Sequence, residues 1–353
     1  MKKINYTYFD KIKNSLPNIS EYLTYDKIRE LRKITNDPHI WSCMQSRKSG
    51  LLAHNFNLIN DNNILDKIDI NNVINSALDS LFYGFQAFEI IWEWDKQYIP
   101  KKIIPLPQEI FNFDIFNKNI NNIKININGK YEEINDNKII ICFNNKSINN
   151  PLGISLLEKI WWSAKFKNIA LQYWIDYLER FGMPLILGKM HRSSADTEIN
   201  TLLENLKNMA GNNILLAPKD LDLEYKEALR QESVDMFMKL IETTNNEISK
   251  TILSQTLTTE IKQGSLAAAQ THLTIRKEII ESDARLINSF INKIIKLTDA
   301  INNRNSNMKF EYILNDEDKK ERLERDIALS KIGVKFTKEY WQNAYQYSEN
   351  DIV

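Results

Sequence analysis

The sequence has few cysteines, no net charge and no long apolar run. Its 353 residues include two cysteines, Cys43 and Cys142, which lie far apart and share no metal-type spacing. This pattern fits a reducing compartment and argues against a disulfide framework. No stretch approaches the about 18 uncharged apolar residues typical of a membrane helix, and no apolar run follows the lysines at the N-terminus. We therefore expect a protein that is neither secreted nor membrane-spanning.

The balance of charges limits the partners. Lysine plus arginine and aspartate plus glutamate number 46 each, so the formal net charge is zero. Nucleic-acid-binding proteins usually have a basic composition or a basic face. Any contact with DNA is therefore expected to be local or weak.

Catalytic and metal-binding patterns are also missing. The four histidines are isolated, without a second histidine or cysteine at metal-ligand spacing. Residues 182–189 resemble a phosphate loop, but five residues instead of four separate the glycines and Met190 replaces the required Ser or Thr. Carboxylates such as Asp316 and Asp318 lie in a mixed charge run, where lysines neutralise them. The sequence predicts no metal site and no cofactor, and it leaves an enzymatic activity without support but not excluded.

Long helical patterns surround one break in the second half of the chain. Apolar residues recur at intervals of three and four over 234–253 and again over 275–297, which predicts two helices. A continuous helix from Ser265 to Ala300 would reach about 54 Å at 1.5 Å per residue. Between the helices, Thr-rich residues and Gly264 favour a loop or kink, and Ser265 can cap the helix that follows.

Another long helix is predicted after Pro151, ending before Pro184. Its apolar residues form two stripes. One stripe contains Leu157, Trp161, Ala164, Leu171, Trp174, Leu178 and Phe181, and the other contains Trp162, Phe166, Ile169, Tyr173 and Tyr177. Two stripes require two packing partners. One partner can be the helix at 234–253, and the other a neighbouring copy of the chain.

The remaining patterns predict an α+β module before residue 150, a small α/β insert and a charged tail. The pattern up to about Leu31 predicts a loosely attached arm or a peripheral helix. A connection between the strands at 85–94 and 111–116 is predicted from Pro100, Pro105 and Pro107. The predicted strands are 56–58, 85–94, 111–116, 123–127, 138–143, 185–187, 213–217, 221–225 and 308–314. The predicted shorter helices begin at Asp37-Pro38 and cover 73–82, 197–209 and 336–341. The charge run 315–326 predicts a solvated helix face or, alternatively, an acidic patch that binds a partner.

Several separated blocks resemble the portal proteins of Mu-like tailed phages and prophages, in the order of that family, from about residue 37 to 345. The blocks are 37–48 (DPHIWSCMQSRK), 83–93 (YGFQAFEIIWE), 174–177 (WIDY), 179–184 (ERFGMP), 253–259 (LSQTLTT) and 264–272 (GSLAAAQTH). The resemblance implies an α+β, mainly helical portal fold. It would comprise an α+β wing, paired stem helices, a small α/β clip and a long wing helix after a tunnel loop.

The resemblance also implies a division of the chain. Its parts would be an N-terminal arm at 1–36, the wing at 37–150, stem helices at 151–182 and 230–255, the clip at 183–229, the tunnel loop at 256–265, the long wing helix at 266–303 and a C-terminal wing or short crown region at 304–353. The chain is short after Trp341, which makes a large crown doubtful.

The resemblance implies three sets of functional residues. Subunits would pack on the stem through Trp161, Trp162, Phe166, Tyr173 and Tyr177. The tunnel loop would meet DNA through Thr258, Thr259, Lys262, Gln263 and Ser265. Partners would dock on the clip at His191, Arg192, Glu198 and Lys219. Small and hydroxyl-bearing side chains offer weak, replaceable contacts to sliding DNA, whereas each added phosphate contact tightens binding. The alternative is that the loop residues only shape a helix break.

Members of the family form a ring, usually dodecameric, at one capsid vertex. The implied partners are further copies of the chain, double-stranded DNA bound without sequence preference, the terminase large subunit, the head-tail connector and the major capsid or scaffold protein, with no membrane. ATP hydrolysis would come from the terminase. The protein would assemble in the host bacterial cytoplasm and reside in the virion. Two other functions stay open: an enzyme of phage DNA processing, and a capsid adaptor without a channel.

Overall fold

The computed structural model describes residues 25–116, 119–127, 129–135, 137–181, 186–190, 197, 199–201, 204, 214–218, 230–256, 266–314 and 319–345. Within them the helices are α1 (Tyr25–Ile34), α2 (Pro38–Leu52), α3 (Ile70–Ala77), α4 (Asp79–Tyr83), α5 (Leu156–Phe181), α6 (Arg230–Leu253), α7 (Leu266–Ile301), α8 (Lys319–Lys331) and α9 (Lys338–Tyr345). The strands are β1 (Phe56–Ile59), β2 (Phe85–Trp94), β3 (Tyr98–Leu106), β4 (Phe111–Phe116), β5 (Asn119–Ile127), β6 (Lys130–Glu133), β7 (Ile139–Phe143), β8 (Ile186–Met190), β9 (Ile214–Pro218) and β10 (Lys309–Tyr312). This mixture confirms an α+β, mainly helical class.

Strand β2 is the centre of the main sheet. It pairs antiparallel with β3 on one side and β7 on the other. Phe85, Phe88 and Ile90 are buried, which is what its aromatic and β-branched composition predicts. Phe88 packs on Phe290 of α7, with ring centroids 5.1 Å apart. The core therefore lies between this sheet and the long helix.

Strand β3 corrects the predicted connection around the prolines. Pro100 lies opposite Trp92, and Pro105 lies opposite Phe88. Proline has no backbone N–H to donate, so it is tolerated in a sheet mainly on an edge strand. Among the described residues β3 pairs only with β2. Pro100 and Pro105 therefore mark an edge strand and not a connection, whereas Pro107 follows β3 and lies in the connection to β4.

Two further antiparallel sheets contain predicted strands, together with β6, which the sequence did not predict. Strands β4, β5 and β6 form a sheet in that order, and the Asn126 side chain accepts a hydrogen bond from the Gly129 N–H at 2.9 Å in the turn between β5 and β6. Strand β10 pairs with β1, so the C-terminal part of the chain returns to the first module. Strands β8 and β9 of the predicted insert run parallel, as strands joined by a crossover do.

Of the two predicted forms of the first residues, a loosely attached arm or a peripheral helix, residues 25–34 form a helix, α1, but it lies in the core and not at the periphery. Ile28, Leu31 and Ile34 are buried in the same core as β2. Lys27 forms an ion pair with Glu158 of α5 at 2.6 Å. The arm is therefore packed from residue 25 onward, because an apolar residue returns to the same helix face every three residues.

The start of α5 is tied to the sheet by a close backbone approach. Gly153 has φ of +83°, and a Cβ there would lie 2.6 Å from the Asn144 carbonyl oxygen and against that of Gly84. Gly84 itself ends α4 with φ of +91°. The Ile154 N–H donates to the Asn144 carbonyl at 2.7 Å. Glycine is needed at 153 because any side chain would displace the backbone of its neighbours.

The break between α6 and α7 lies where it is predicted. Helix α6 ends at Leu253, and Ser254 follows with φ of +54°. Helix α7 begins at Leu266 and continues for 36 residues to Ile301, within one residue of the predicted bounds at both ends. Residues 257–265 of the predicted loop lie outside the described residues.

Candidate functional site

Helices α5 and α6 pack against each other, and α5 keeps one apolar stripe exposed. Trp162, Phe166, Ile169 and Tyr173 are 63%, 50%, 45% and 62% exposed. They are spaced by four, three and four residues, so they lie on one face of the helix. We call these four residues the outer stripe. A single copy of the chain leaves the outer stripe in contact with water.

The other members of the predicted packing set lie nearby. Trp161 is half-buried and meets Trp162 edge-on, with centroids 4.8 Å apart. Trp162 and Phe166 stack at 5.7 Å. Tyr177 reaches Phe237 of α6 at 6.1 Å. Of the five residues, Trp162, Phe166 and Tyr173 therefore form the exposed surface, whereas Tyr177 connects the two helices.

Helix α6 carries a second exposed apolar surface. Met236, Met238 and Leu240 are 71%, 53% and 44% exposed. Methionine is flexible and polarizable, and it makes favourable contacts with aromatic rings. Met236 and Leu240 are four residues apart and share one helix face, whereas Met238 lies near the opposite side of the helix. The helix pair thus presents an aromatic surface from α5 and a smaller apolar surface, formed by Met236 and Leu240, from α6.

A polar seam joins α6 to α2. His39 Nε2 lies 2.8 Å from Ser249 Oγ and 3.0 Å from the Asn245 carbonyl oxygen. Cys43, one turn along α2, lies 3.8 Å from the same Ser249 hydroxyl. Residues 39, 43 and 47 follow the i, i+4 spacing of one helix face. Hydrogen bonds along this face fix α6 in one register on α2.

Helix α5 is held to the start of α2 by a buried ion pair. Asp37 caps α2 by accepting hydrogen bonds from the His39 and Ile40 amides at 2.9 and 3.1 Å. Lys167 approaches the same carboxylate at 2.7 Å, and both side chains are 9% exposed. We did not predict this pair from the sequence. The Asp-Pro helix start identifies Asp37 as a capping residue, but no local pattern identifies Lys167, which lies 130 residues further along the chain.

The described histidines and cysteines have structural surroundings. His272 Nδ1 lies 2.9 Å from Gln255 Oε1. Burial raises the pKa of Cys43, and burial raises the pKa of Cys142 to about 11. Both thiols therefore stay protonated near neutral pH, which makes them poor nucleophiles. Within the described part of the chain, no cluster of three His, Cys, Asp or Glu side chains could hold a metal ion.

Two predicted sets of functional residues lie outside the described residues. They are Thr258, Thr259, Lys262, Gln263 and Ser265 in the predicted tunnel loop, and His191, Arg192, Glu198 and Lys219 in the predicted clip. Their roles stay predictions. Among the helices that are described, none combines the length and hydropathy needed to cross a bilayer.

Comparisons with known proteins give a consistent family. A family model described as the portal protein of Mu bacteriophage matches residues 28–347. The Mu-like prophage FluMu protein gp29 of Haemophilus influenzae is 31% identical over 134 residues, which cover 37% of this chain and 26% of that protein. The portal protein of Escherichia phage Mu is 30% identical over 139 residues, which cover 39% of this chain and 27% of that protein. Each alignment thus spans about a quarter of the relative.

Solved structures share the fold over most of the chain. A chain of the virion of a native gene transfer agent particle has a TM-score of 0.60 at 11% identity, covering 96% of this chain and 99% of that chain. An HK97 family phage portal protein from Corynebacterium diphtheriae has a TM-score of 0.52 at 8% identity, covering 86% and 97%. A chain of the neck of the native particle, computed with C12 symmetry, reaches 0.57 at 11% identity, covering 89% and 91%. These likenesses confirm the predicted portal fold.

Proposed function

Because the chain belongs to the family of Mu bacteriophage portal proteins, we propose that it forms a ring at one vertex of a phage capsid. Double-stranded DNA is packaged through the axis of this ring and later ejected through it. In this role α5 and α6 are the stem, residues 183–229 are the clip, and α7 belongs to the wing. The role is structural, and a separate terminase supplies the ATP hydrolysis.

The observation that carries the ring is the exposed outer stripe. Monomeric proteins rarely expose large contiguous apolar patches, and such patches usually mark interaction sites. In a ring each copy contacts its two neighbours through two different surfaces, because the contacts between copies are head-to-tail. The aromatic surface of α5 and the apolar surface of α6 at Met236 and Leu240 are two such surfaces. We propose twelve copies, the symmetry named for the similar neck chain.

The proposed conduit explains why the chain has no net charge. Each phosphate neutralised by lysine or arginine strengthens binding and its salt dependence. A conduit must let DNA slide, so few and replaceable contacts suit it. We propose that Thr258, Thr259, Lys262, Gln263 and Ser265 make these contacts. Deletion of residues 258–263 should leave ring assembly intact and reduce DNA packaging or retention, whereas loss of assembly alone would mean a structural segment.

The clip is the proposed docking surface for the terminase large subunit and then for the head-tail connector. His191, Arg192, Glu198 and Lys219 are its proposed contact residues. The major capsid or scaffold protein would surround the ring in the virion, after assembly in the bacterial cytoplasm. Charge reversal at Arg192 and Lys219 together should weaken co-purification with the terminase and leave the ring intact.

Electron microscopy of the negatively stained full chain tests the ring. Rings with a central hole are expected. Monomers under every assembly condition would contradict the proposal, and a small oligomer without a hole would favour a capsid adaptor. Nuclease and ATPase assays on the same sample test the enzyme alternative. Turnover that one carboxylate substitution abolishes would support an enzyme of DNA processing.

A further inference from the structure

Arg47 lies where α2, α6 and α7 meet, and its guanidinium binds both of the other helices. Nε and Nη2 donate to the two carboxylate oxygens of Asp283 at 2.9 and 2.8 Å. Nη1 donates to the carbonyl oxygen of Ile252 at 2.6 Å. The side chains of Arg47 and Asp283 are only 12% and 2% exposed. We call Arg47, Asp283 and the Ile252 carbonyl the Arg47 joint.

The Arg47 joint lies at the place where two helices leave the core. Ile252 is in the last turn of α6, where carbonyl groups have no partner within the helix and carry partial negative charge. Asp283 is the first buried residue of the described part of α7, since none of the side chains from 272 to 282 is buried. The joint therefore connects the inner end of α6 to the point where α7 enters the core.

The hydrogen bonds of the Arg47 joint favour one relative placement of α6 and α7 over others. Apolar contacts between helices are non-directional, so a helix can shift and repack. A bidentate arginine–carboxylate pair has a fixed fork geometry. Removal of one partner of a buried pair leaves an uncompensated charge, which excludes arrangements that break the fork. The third bond, to the Ile252 carbonyl, ties this geometry to α6.

We infer that Arg47 is a positioning residue, which fixes the angle between α6 and α7 and hence the geometry with which each copy meets its neighbours. The second part of this inference rests on the proposed ring. A head-to-tail interface closes only if every copy contributes the same rotation. A small change of angle at the joint is repeated at every copy, so it changes the closure of the ring.

Distances between spin labels test the angle directly. Lys239→Cys on α6 and Glu278→Cys on α7 are exposed positions, whereas the native Cys43 and Cys142 are buried and do not compete for the label. Labelled chain is diluted with unlabelled chain, so that only distances within one copy are measured. The unsubstituted background should give one narrow distance distribution. Arg47→Gln should broaden or shift it, and Arg47→Lys should do so less, because a lysine keeps the charge but not the fork.

Arg285→Gln is the matched control, since Arg285 is exposed on α7 two residues from Asp283. It should keep the narrow distribution. If Arg47→Gln does not fold, as judged by circular dichroism, Asp283→Asn replaces it, because it removes the charge and preserves the size. An unchanged distribution in the folded variant would overturn the inference.

Micrographs of the same variants separate the inference from the proposed function. Arg47→Gln should give rings of mixed subunit number or open arcs, where the unsubstituted chain gives uniform closed rings. If no variant and no unsubstituted chain forms rings but the distances respond, the positioning role stands and the proposed ring fails. If uniform rings persist in Arg47→Gln, the link between the joint and ring closure is wrong.

Discussion

The three long helices each have two halves that differ in their surroundings. The inner halves contain fully buried side chains, and the outer halves contain none among the described residues. The inner halves are 156–170 of α5, 244–253 of α6 and 283–301 of α7, and the outer halves are 171–179, 235–243 and 272–282. One helix thus serves two purposes: the buried side chains of its inner half join the core of its own chain, and its outer half is left to other partners. On α5 the outer stripe extends this exposed surface along the solvent face of the inner half.

The buried and the exposed parts of the long helices serve folding and assembly, respectively. Full burial of a large apolar side chain stabilises by about 1.5–3 kcal/mol, and the inner halves gain this within one chain. The outer halves and the outer stripe gain it only when another molecule covers them. Substitutions of the buried side chains in the inner halves should therefore change the free energy of unfolding, and substitutions in the outer halves or on the outer stripe should change assembly.

Phe290→Ala in the inner half of α7 should have the largest effect on stability. Phe290 is buried and packs on Phe88 at 5.1 Å. Removal of a buried aromatic ring costs about 3–5 kcal/mol, since transfer and cavity terms add. Urea denaturation at a concentration where the chain is monomeric measures this cost. Phe166→Ala, a half-exposed position on α5, is the matched control. Equal losses in both variants would contradict the division into folding and assembly surfaces.

Lys167→Met in the inner half of α5 should have the next largest effect. The Asp37 carboxylate would stay buried without its cation, although it would keep the two amide donors that it caps. Breaking a buried pair from one side costs about 3 kcal/mol or more. Lys159→Met, an exposed position on the same helix, is the control. If Lys167→Met lowers the free energy of unfolding no more than Lys159→Met does in the same denaturation assay, the two amides alone satisfy Asp37.

Asp299→Asn, near the end of α7, should cost about 1 kcal/mol at neutral pH, the net value of a typical hydrogen bond. Burial raises the pKa of Asp299, but bonds from the Ser306 amide and hydroxyl and from Arg304 outweigh it, so the pKa lies below its ordinary value. The charged form of Asp299 thus contributes to the free energy of unfolding above about pH 3.9, the ordinary pKa. This contribution is lost as the pH falls through the lower pKa of the folded protein.

Denaturation of both proteins at several pH values checks this sign. The difference in stability between the unsubstituted chain and Asp299→Asn should be constant from neutral pH to about pH 5 and shrink below about pH 3.9. A difference that grows on acidification would mean that the pKa of Asp299 is raised in the folded chain.

The sequence predicted what depends on periodicity and missed what depends on distant partners. The bounds of α7 and the break after α6 follow from local patterns of apolar residues and from Gly264. The edge position of β3 depends on its neighbours in space, which no local pattern contains. The pair of Arg47 with Asp283 joins residues 236 apart. Polar pairs of this kind leave no periodic signal, because each partner alone resembles a surface residue.

Trp162→Ala on the outer stripe should have the smallest effect on the stability of one chain and a large effect on assembly. Trp162 is 63% exposed, and exposed substitutions usually change stability by less than about 0.5 kcal/mol. Buried tryptophans at interfaces often contribute about 2 kcal/mol, so assembly should need a roughly 30-fold higher protein concentration. Mass photometry over a dilution series measures that concentration.

Trp94→Ala is the matched control for this prediction, because Trp94 is 66% exposed at the end of β2, away from the helix pair. The two substitutions remove the same side chain from similarly exposed positions, so a general effect of surface hydrophobicity would act on both. If only Trp162→Ala raises the protein concentration needed for assembly, the contact between copies lies on α5. Equal changes in the required concentration, or none, would remove the outer stripe from the interface between copies, and the contact between copies would then have to lie elsewhere.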